Sequence, residues 1–269
     1  MSEQEEIKKN KAEFLLSTDS LSGYGLDLIF ETARNINFDG IDLAMWKSFD
    51  SWSSKYVKKL SEKYEMPVKV IQISSNTNSK EMNKAVDMAK ELGVENITIN
   101  PPRFTNWKSY RFISNNISSY KRQNPNIKFS IINPPKSSLF MLPIPEYHFN
   151  NIVDIIKKYK VYLGFDVANI DEQALEINFL RKISGFVPHI GVVYLSDKTK
   201  TGVGHVPLGD GSLKLPTILK KFKQHEYYGN FSLKLEIDKK DLADIEKVEQ
   251  ILKKCKLYYK ENFEELVIS

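Results

Sequence analysis

The sequence predicts an α/β chain closed as a single-domain (β/α)8 TIM barrel. Three observations predict it. Strand-like apolar or β-branched runs recur about every 31 residues between Glu13 and Asn230. Amphipathic stretches of helical period fill the gaps between them. The first strand leads into Thr18-Asp19-Ser20-Leu21-Ser22-Gly23-Tyr24-Gly25, which has neither a G-x-G-x-x-G nor a G-x-x-x-x-G-K-[ST] pattern. An open doubly wound sheet would ordinarily carry one of these after its first strand.

The eight runs begin at Glu13 (EFLLST), Phe38 (FDGIDLA), Pro67 (PVKVIQIS), Asn96 (NITIN), Ile127 (IKFSIIN), Val161 (VYLGFD), Pro188 (PHIGVVYL) and Asn230 (NFSLKLEI). IGVVYL is apolar throughout, as a parallel strand covered on both faces must be. Leu26, Ile29, Phe30 and Ala33 stand between the first two strands at i, i+3, i+4 and i+7, and Met82, Ala85, Val86 and Ala89 repeat the spacing between the third and fourth. Gly93 reads as the residue just past a helix end, Pro145 as the first turn before a helix over 147–156, and Gly185 as the close of a helix running from Glu172 to Ile183. Residues 1–12 read as a polar tail and 13–269 as the barrel, since no break in composition divides the chain.

Composition narrows the function. Of the 269 residues 41% are hydrophobic and 27% charged, which excludes a disordered or fibrous chain. One cysteine, Cys255, excludes a disulfide scaffold and a Cys-based zinc finger. MSEQEEIKKNKA has no apolar segment behind it and no run approaches the ~20 residues that span a bilayer, so a cytoplasmic protein with no membrane association is expected. The net charge of +5 comes from lysines interleaved with acids, not from the clustered stripe that nucleic-acid binding requires.

In this fold, functional groups gather at the C-terminal strand ends. Polar residues there are Ser17, Thr18 and Asp19, Asp42, Gln72 and Ser74, Asn100, Asn133, Asp166 and Asn169, Tyr194 and Asp197, His205 in the following Gly-rich loop, and Glu236. Asp166 in GFDVAN and Glu236 in LKLEI stand out, because a carboxylate in an apolar strand needs a cation, a metal or several donors. Asp166 could equally cap the next turn, and Glu236 could face outward to pair with Lys234. Asn100 and Asn133 each precede Pro-Pro, either as hydroxyl-binding amides side by side or as strand punctuation. Trp46, Trp107 and Tyr24 could cover a sugar face or simply pack. His148, His189 and His225 share no ligand spacing and read as surface or packing residues.

The segment from VVYLSDKTKTGVGHVPLGDG to NFSLKLEI resembles the closing part of the xylose isomerase-like TIM-barrel family, which includes sugar isomerases, epimerases and apurinic endonucleases. NFDGIDLA, IKFSIINPP and YLGFDVAN are similar to its strand-2, strand-5 and strand-6 segments, and His205-Val206-Pro207-Leu208-Gly209-Asp210-Gly211 to its His-x-Pro-Leu-Gly-x-Gly loop. The resemblance implies a divalent metal held by four strand-end residues, two of them glutamates acting as an acid/base pair. Carried across, the strand-6 and strand-8 ligands are Asp166 and Glu236, while the strand-5 Glu falls at Ile132, the strand-7 His at Tyr194 and a downstream strand-6 His at Asn169.

The expected activity is that of a sugar or sugar-phosphate isomerase or epimerase working by proton transfer. Glu236, Asp166 and His205 are its expected catalytic residues, and Asn133, Asn100, Tyr194, Asp197 and Asn169 its substrate-binding ones. Asp166 and Glu236 could hold Mg²⁺ or Mn²⁺ only weakly. A repurposed, non-catalytic barrel that binds a small polar ligand is the alternative. An apurinic-type endonuclease is the third reading, and 4 His are too few for its many-histidine metal cluster. The resemblance also implies a homo-oligomer.

Overall fold

The computed structural model describes residues 11–136, 145–170 and 181–268. Its strands are β1 (Glu13–Ser17), β2 (Gly40–Ala44), β3 (Val68–Ile73), β4 (Asn96–Ile99), β5 (Lys128–Ile132), β6 (Tyr162–Asp166), β7 (Ile190–Leu195), β8 (Asp197–Lys198), β9 (Gly204–Val206) and β10 (Asn230–Leu233). Eight of them close a parallel barrel in the order β1-β2-β3-β4-β5-β6-β7-β10, and β10 returns to β1 with Leu16 opposite Leu233. β8 and β9 form a separate antiparallel hairpin above β7.

The principal helices are α1 (Leu26–Ile36), α2 (Ser54–Lys63), α3 (Ser79–Leu92), α4 (Trp107–Gln123), α5 (Ile152–Lys157), α6 (Ile183–Phe186), α7 (Leu215–Gln224), α8 (Lys239–Leu242) and α9 (Ile245–Tyr259). Leu26, Ile29, Phe30 and Ala33 of α1 are buried, as are Met82, Ala85, Val86 and Ala89 of α3, so the helical stripe packs inward on the sheet. Gly93 ends α3 in the left-handed conformation. Outside the barrel a continuous core joins these helices to the outward strand residues, with Phe14 of β1 stacked on Tyr259 of α9 at 4.1 Å between centroids.

Residues alternate across each strand. Leu15, Val70, Ile132, Val192 and Tyr194 point inward and form their own small cluster, which seals the barrel axis. Polar inward groups partly satisfy one another: Asp42 Oδ2 accepts from Gln72 Nε2 at 2.7 Å and Ser232 Oγ at 2.6 Å, and Thr98 Oγ1 lies 2.6 Å from the Tyr194 hydroxyl, while Asp42 Oδ1 and Gln72 Oε1 have no hydrogen-bond partner among the described residues.

Four expectations need correction. The helix expected over 147–156 begins only at Ile152, because Asn151 caps it through Val153 N and Asp154 N, while Phe149 adopts φ 58° and turns the chain just before. Gly185 lies inside the single turn of α6 instead of after a helix, and most of the run assigned to that helix lies outside the described residues. The last barrel strand stops at Leu233, so Glu236 sits beyond it. The loop holding His205 is not a free Gly-rich loop but carries the β8–β9 hairpin.

Candidate active site

At the C-terminal end of the barrel lies a cavity of about 780 Å³ lined by groups from most of the strand ends, among them Trp46, Lys47, Asn100, Arg103, Asn169, Lys198, His205, Lys234 and Glu236. The segment that continues β10 supplies two of them by parity. Ser232, Lys234 and Glu236 occupy alternate positions, and the first bonds Asp42 inside the barrel while the next two face the cavity. Glu236 is exposed, and its backbone N–H donates to His205 O at 2.8 Å, which ties the end of β10 to the hairpin.

Beneath the cavity floor, Asp166 at the end of β6 is fully buried, and neither of its carboxylate oxygens has a hydrogen-bond partner among the described residues. Its compensation is charge. His205 Nε2 stands 3.8 Å and Lys234 Nζ 3.9 Å from Asp166 Oδ2. Lys234 Nζ is also 3.9 Å from Asp19 Oδ2 and 5.3 Å above the Tyr194 ring. Asp19 Oδ1 takes a closer cation, Lys47 Nζ, at 2.6 Å. His205 Nδ1 lies 3.0 Å from Ser196 Oγ, which orients the imidazole. Two carboxylates, two lysines and the His205 imidazole thus alternate across the mouth, the arrangement that makes buried charge tolerable.

The hairpin that carries His205 is organised by Asp197. Its buried carboxylate accepts from Lys198 N at 2.7 Å, Leu213 N at 3.0 Å and Gly209 N at 3.2 Å. A Cβ at Gly211 would lie 2.2 Å from Asp197 Oδ1 and 2.5 Å from Lys198 O, so this position has room only for glycine. Gly209 takes φ 85°, and Leu208 is buried with its N–H on Cys255 Sγ at 3.4 Å. Burial pushes the Cys255 thiol up to about 12, which leaves it a packing residue. The Pro-Leu-Gly-Asp-Gly stretch is therefore the frame that fixes His205 in its strained φ of 60°.

Of the remaining residues singled out from sequence, Asn100 and Asn169 line the cavity. The side-chain amide of Asn100 donates to Ile73 O at 3.0 Å, and that of Asn169 to Asn133 O at 2.9 Å. Asn133 is buried and bonds the backbone of Asp166 from both ends of its amide, which locks β5 to β6. Tyr194 is fully buried with its hydroxyl on Thr98. Burial, followed by the charge of Asp42, raises that phenol well above its usual range, so it stays protonated. Asp197 is spent on backbone amides. Trp46 lines the cavity, whereas Trp107 is half-exposed in an aromatic group with Phe104, Tyr110 and His148, and the Tyr24 hydroxyl bonds Leu242 O. The sequence reading missed Lys234 as a site residue. Its signal was a lysine sharing parity with Ser232 and Glu236 in an otherwise apolar strand.

The residues present do not fit a divalent metal. Of the four positions implied by the resemblance, Ile132 offers no donor and Tyr194 is committed to Thr98. Asp166 already faces the Lys234 ammonium and the His205 imidazole. No group of three or more His, Cys, Asp or Glu able to hold an ion occurs among the described residues. No described helix is long and apolar enough to cross a membrane.

Comparison with known proteins agrees with this architecture. No family model matches the chain. An uncharacterized protein of Methanocaldococcus jannaschii is 24% identical over 221 residues, 74% of this chain and 73% of that protein. Among solved structures, a D-allulose 3-epimerase from Methylomonas sp. superposes with TM-score 0.67 at 13% identity, covering 94% of this chain and 99% of that one. A sugar phosphate isomerase/epimerase from Parabacteroides distasonis gives 0.64 at 17% identity, with 93% and 96% covered. The chain shares the closed (β/α)8 barrel fold of these proteins.

Proposed function

We propose that the protein is a sugar or sugar-phosphate isomerase that moves a proton between adjacent carbons of an open-chain substrate. The observation that carries this is the cavity itself: the Glu236 carboxylate, which has no ion-pair partner among the described residues, lines it together with His205 and Lys234, and it is large enough for a small carbohydrate. Glu236 acts as the base on a C–H next to a carbonyl, and His205 as the group that gives or takes a proton at oxygen. Aldose–ketose isomerisation needs only one base, because the same carboxylate returns the proton to the neighbouring carbon. Epimerisation needs a second base on the opposite face, and Ile132 stands at the position where the resemblance would put it. The reading therefore favours isomerisation over epimerisation.

Exchange of the substrate α-proton with D₂O, followed by NMR over a panel of pentoses, hexoses and their phosphates, tests this directly. One or more sugars should exchange above background. Glu236→Gln should slow that exchange by ~100-fold or more. Unchanged exchange in the variant overturns the assignment of Glu236. Saturable binding of a sugar with no exchange for any panel member would instead support the repurposed-barrel reading, which the solvent-exposed setting of Glu236 favours.

A further inference from the structure

We propose that the Lys234 ammonium is the electrophile of this site, taking the place of a divalent metal ion in binding and polarising the reacting oxygen of the substrate. The proposal rests on the isomerase reading above and adds to it which group carries the developing negative charge.

Three observations point to Lys234. Its side chain is only 14% exposed yet lines the cavity, so its charge acts where solvent screens it little. It is held from three sides, by Asp166 Oδ2 and Asp19 Oδ2 at 3.9 Å each and by the face of the Tyr194 ring at 5.3 Å. At 3.9 Å the two carboxylate contacts are too long for hydrogen bonds, so among the described residues the ammonium is held by charge and keeps N–H donors for a ligand. A cation fixed in place with free donors is the requirement for stabilising an oxyanion without reorganisation. Asp166 and Asp19 are positioning residues. Asp166 in particular has two buried oxygens with no hydrogen bond among the described residues, and its Oδ2 lies 3.9 Å from Lys234 Nζ and 3.8 Å from His205 Nε2.

The step balances within the site. Glu236 takes the proton from the carbon next to the carbonyl, the C–H electron pair becomes the new carbon–carbon π bond, and the carbonyl π pair moves onto oxygen. Lys234 meets that oxyanion with a charge-assisted hydrogen bond. Return of the proton from Glu236 to the former carbonyl carbon, with His205 moving the hydroxyl protons, completes the isomerisation. No oxidant or reductant is needed.

The test uses sugar-derived hydroxamates of four to six carbons, with and without a terminal phosphate, as mimics of the charged intermediate, and the matching polyols as uncharged controls. Binding is measured by calorimetry in EDTA, and Mn²⁺ alone is titrated separately. The expected result is that at least one hydroxamate binds wild type in EDTA ~100-fold or more tighter than its polyol. Lys234→Met should lose ~10-fold or more of that preference, read as the ratio of hydroxamate to polyol affinity within the variant, the scale of one charge-assisted hydrogen bond. A smaller loss overturns the proposal, as does stoichiometric Mn²⁺ binding that the hydroxamate requires. If Lys234→Met does not fold because Asp166 is stranded, Asp166→Asn/Lys234→Met removes both charges and is read in the same way. Should no hydroxamate and no polyol bind wild type, the carbohydrate reading fails and the proposal with it. If both bind and the preference survives in the variant, only the proposal fails.

Discussion

A single buried carboxylate sets the expected pH response of the barrel. Asp42 is wholly enclosed, and burial outweighs its hydrogen bonds from Ser232 and Gln72, so its pKa is raised from the ordinary 3.8 to about 7. The folded protein therefore holds a proton there that the unfolded chain has released. The stability associated with that proton is fully present below about pH 4 and is lost as pH rises through 7, at no more than ~1.4 kcal/mol per pH unit. Asp42→Asn keeps the shape and removes the titration. Denaturant midpoints measured between pH 4 and 8 should fall with pH more steeply in wild type than in the variant. Parallel profiles would show that Asp42 does not titrate in that window.

At the scale of elements, the β8–β9 hairpin makes the sharpest prediction. Gly211→Ala forces a Cβ into Asp197 and the Lys198 carbonyl, and overpacking of this kind costs ~1–3 kcal/mol. Because Asp197 ties the hairpin to Gly209 and Leu213, the cost should appear both as a lower denaturation midpoint and as weaker ligand binding through displaced His205. Binding that is unaffected while stability falls would separate the hairpin from the site. The same elements mark how far the sequence was readable. Strands such as IGVVYL and helix stripes such as Leu26, Ile29, Phe30 and Ala33 were legible because burial on the barrel imposes a simple period on them. Gly93 was legible because a left-handed helix end selects glycine. The start of α5 was not, since Pro145 is a local signal while the Asn151 cap and the turn at Phe149 depend on packing with Tyr110 and His148. Asp197 looked like a ligand residue because its frame of backbone amides comes from residues up to 16 positions away. Lys234 was read as a partner for Glu236, as charge proximity along a strand suggests, and only closure of the barrel brings it to Asp166 and Asp19.

Across the whole molecule the charge is uneven in a way that composition hides. A net charge of +5 over 269 residues is modest, yet the cavity gathers Lys47, Arg103, Lys198 and Lys234 around one lining carboxylate, Glu236. Lys47 and Lys234 answer to Asp19 and Asp166, and Arg103 lies 3.9 Å from Glu146, whereas Lys198 forms no ion pair among the described residues. With these partners and Glu236 counted the charges balance, four against four, so Lys198 at the rim is the cation through which the mouth attracts an anionic ligand. A sugar phosphate should therefore bind more tightly than its dephosphorylated form, and its advantage should shrink as added salt shortens the screening length from ~10 Å to ~3 Å. Lys198→Ala should weaken the phosphorylated ligand by ~0.2–1 kcal/mol, the worth of an accessible ion pair, and leave the neutral sugar unchanged. Calorimetric titration of both ligands at low and high salt decides it. Equal loss for the two sugars would mean that Lys198 shapes the mouth without reading charge, and a salt-independent advantage would place the phosphate contacts on uncharged donors.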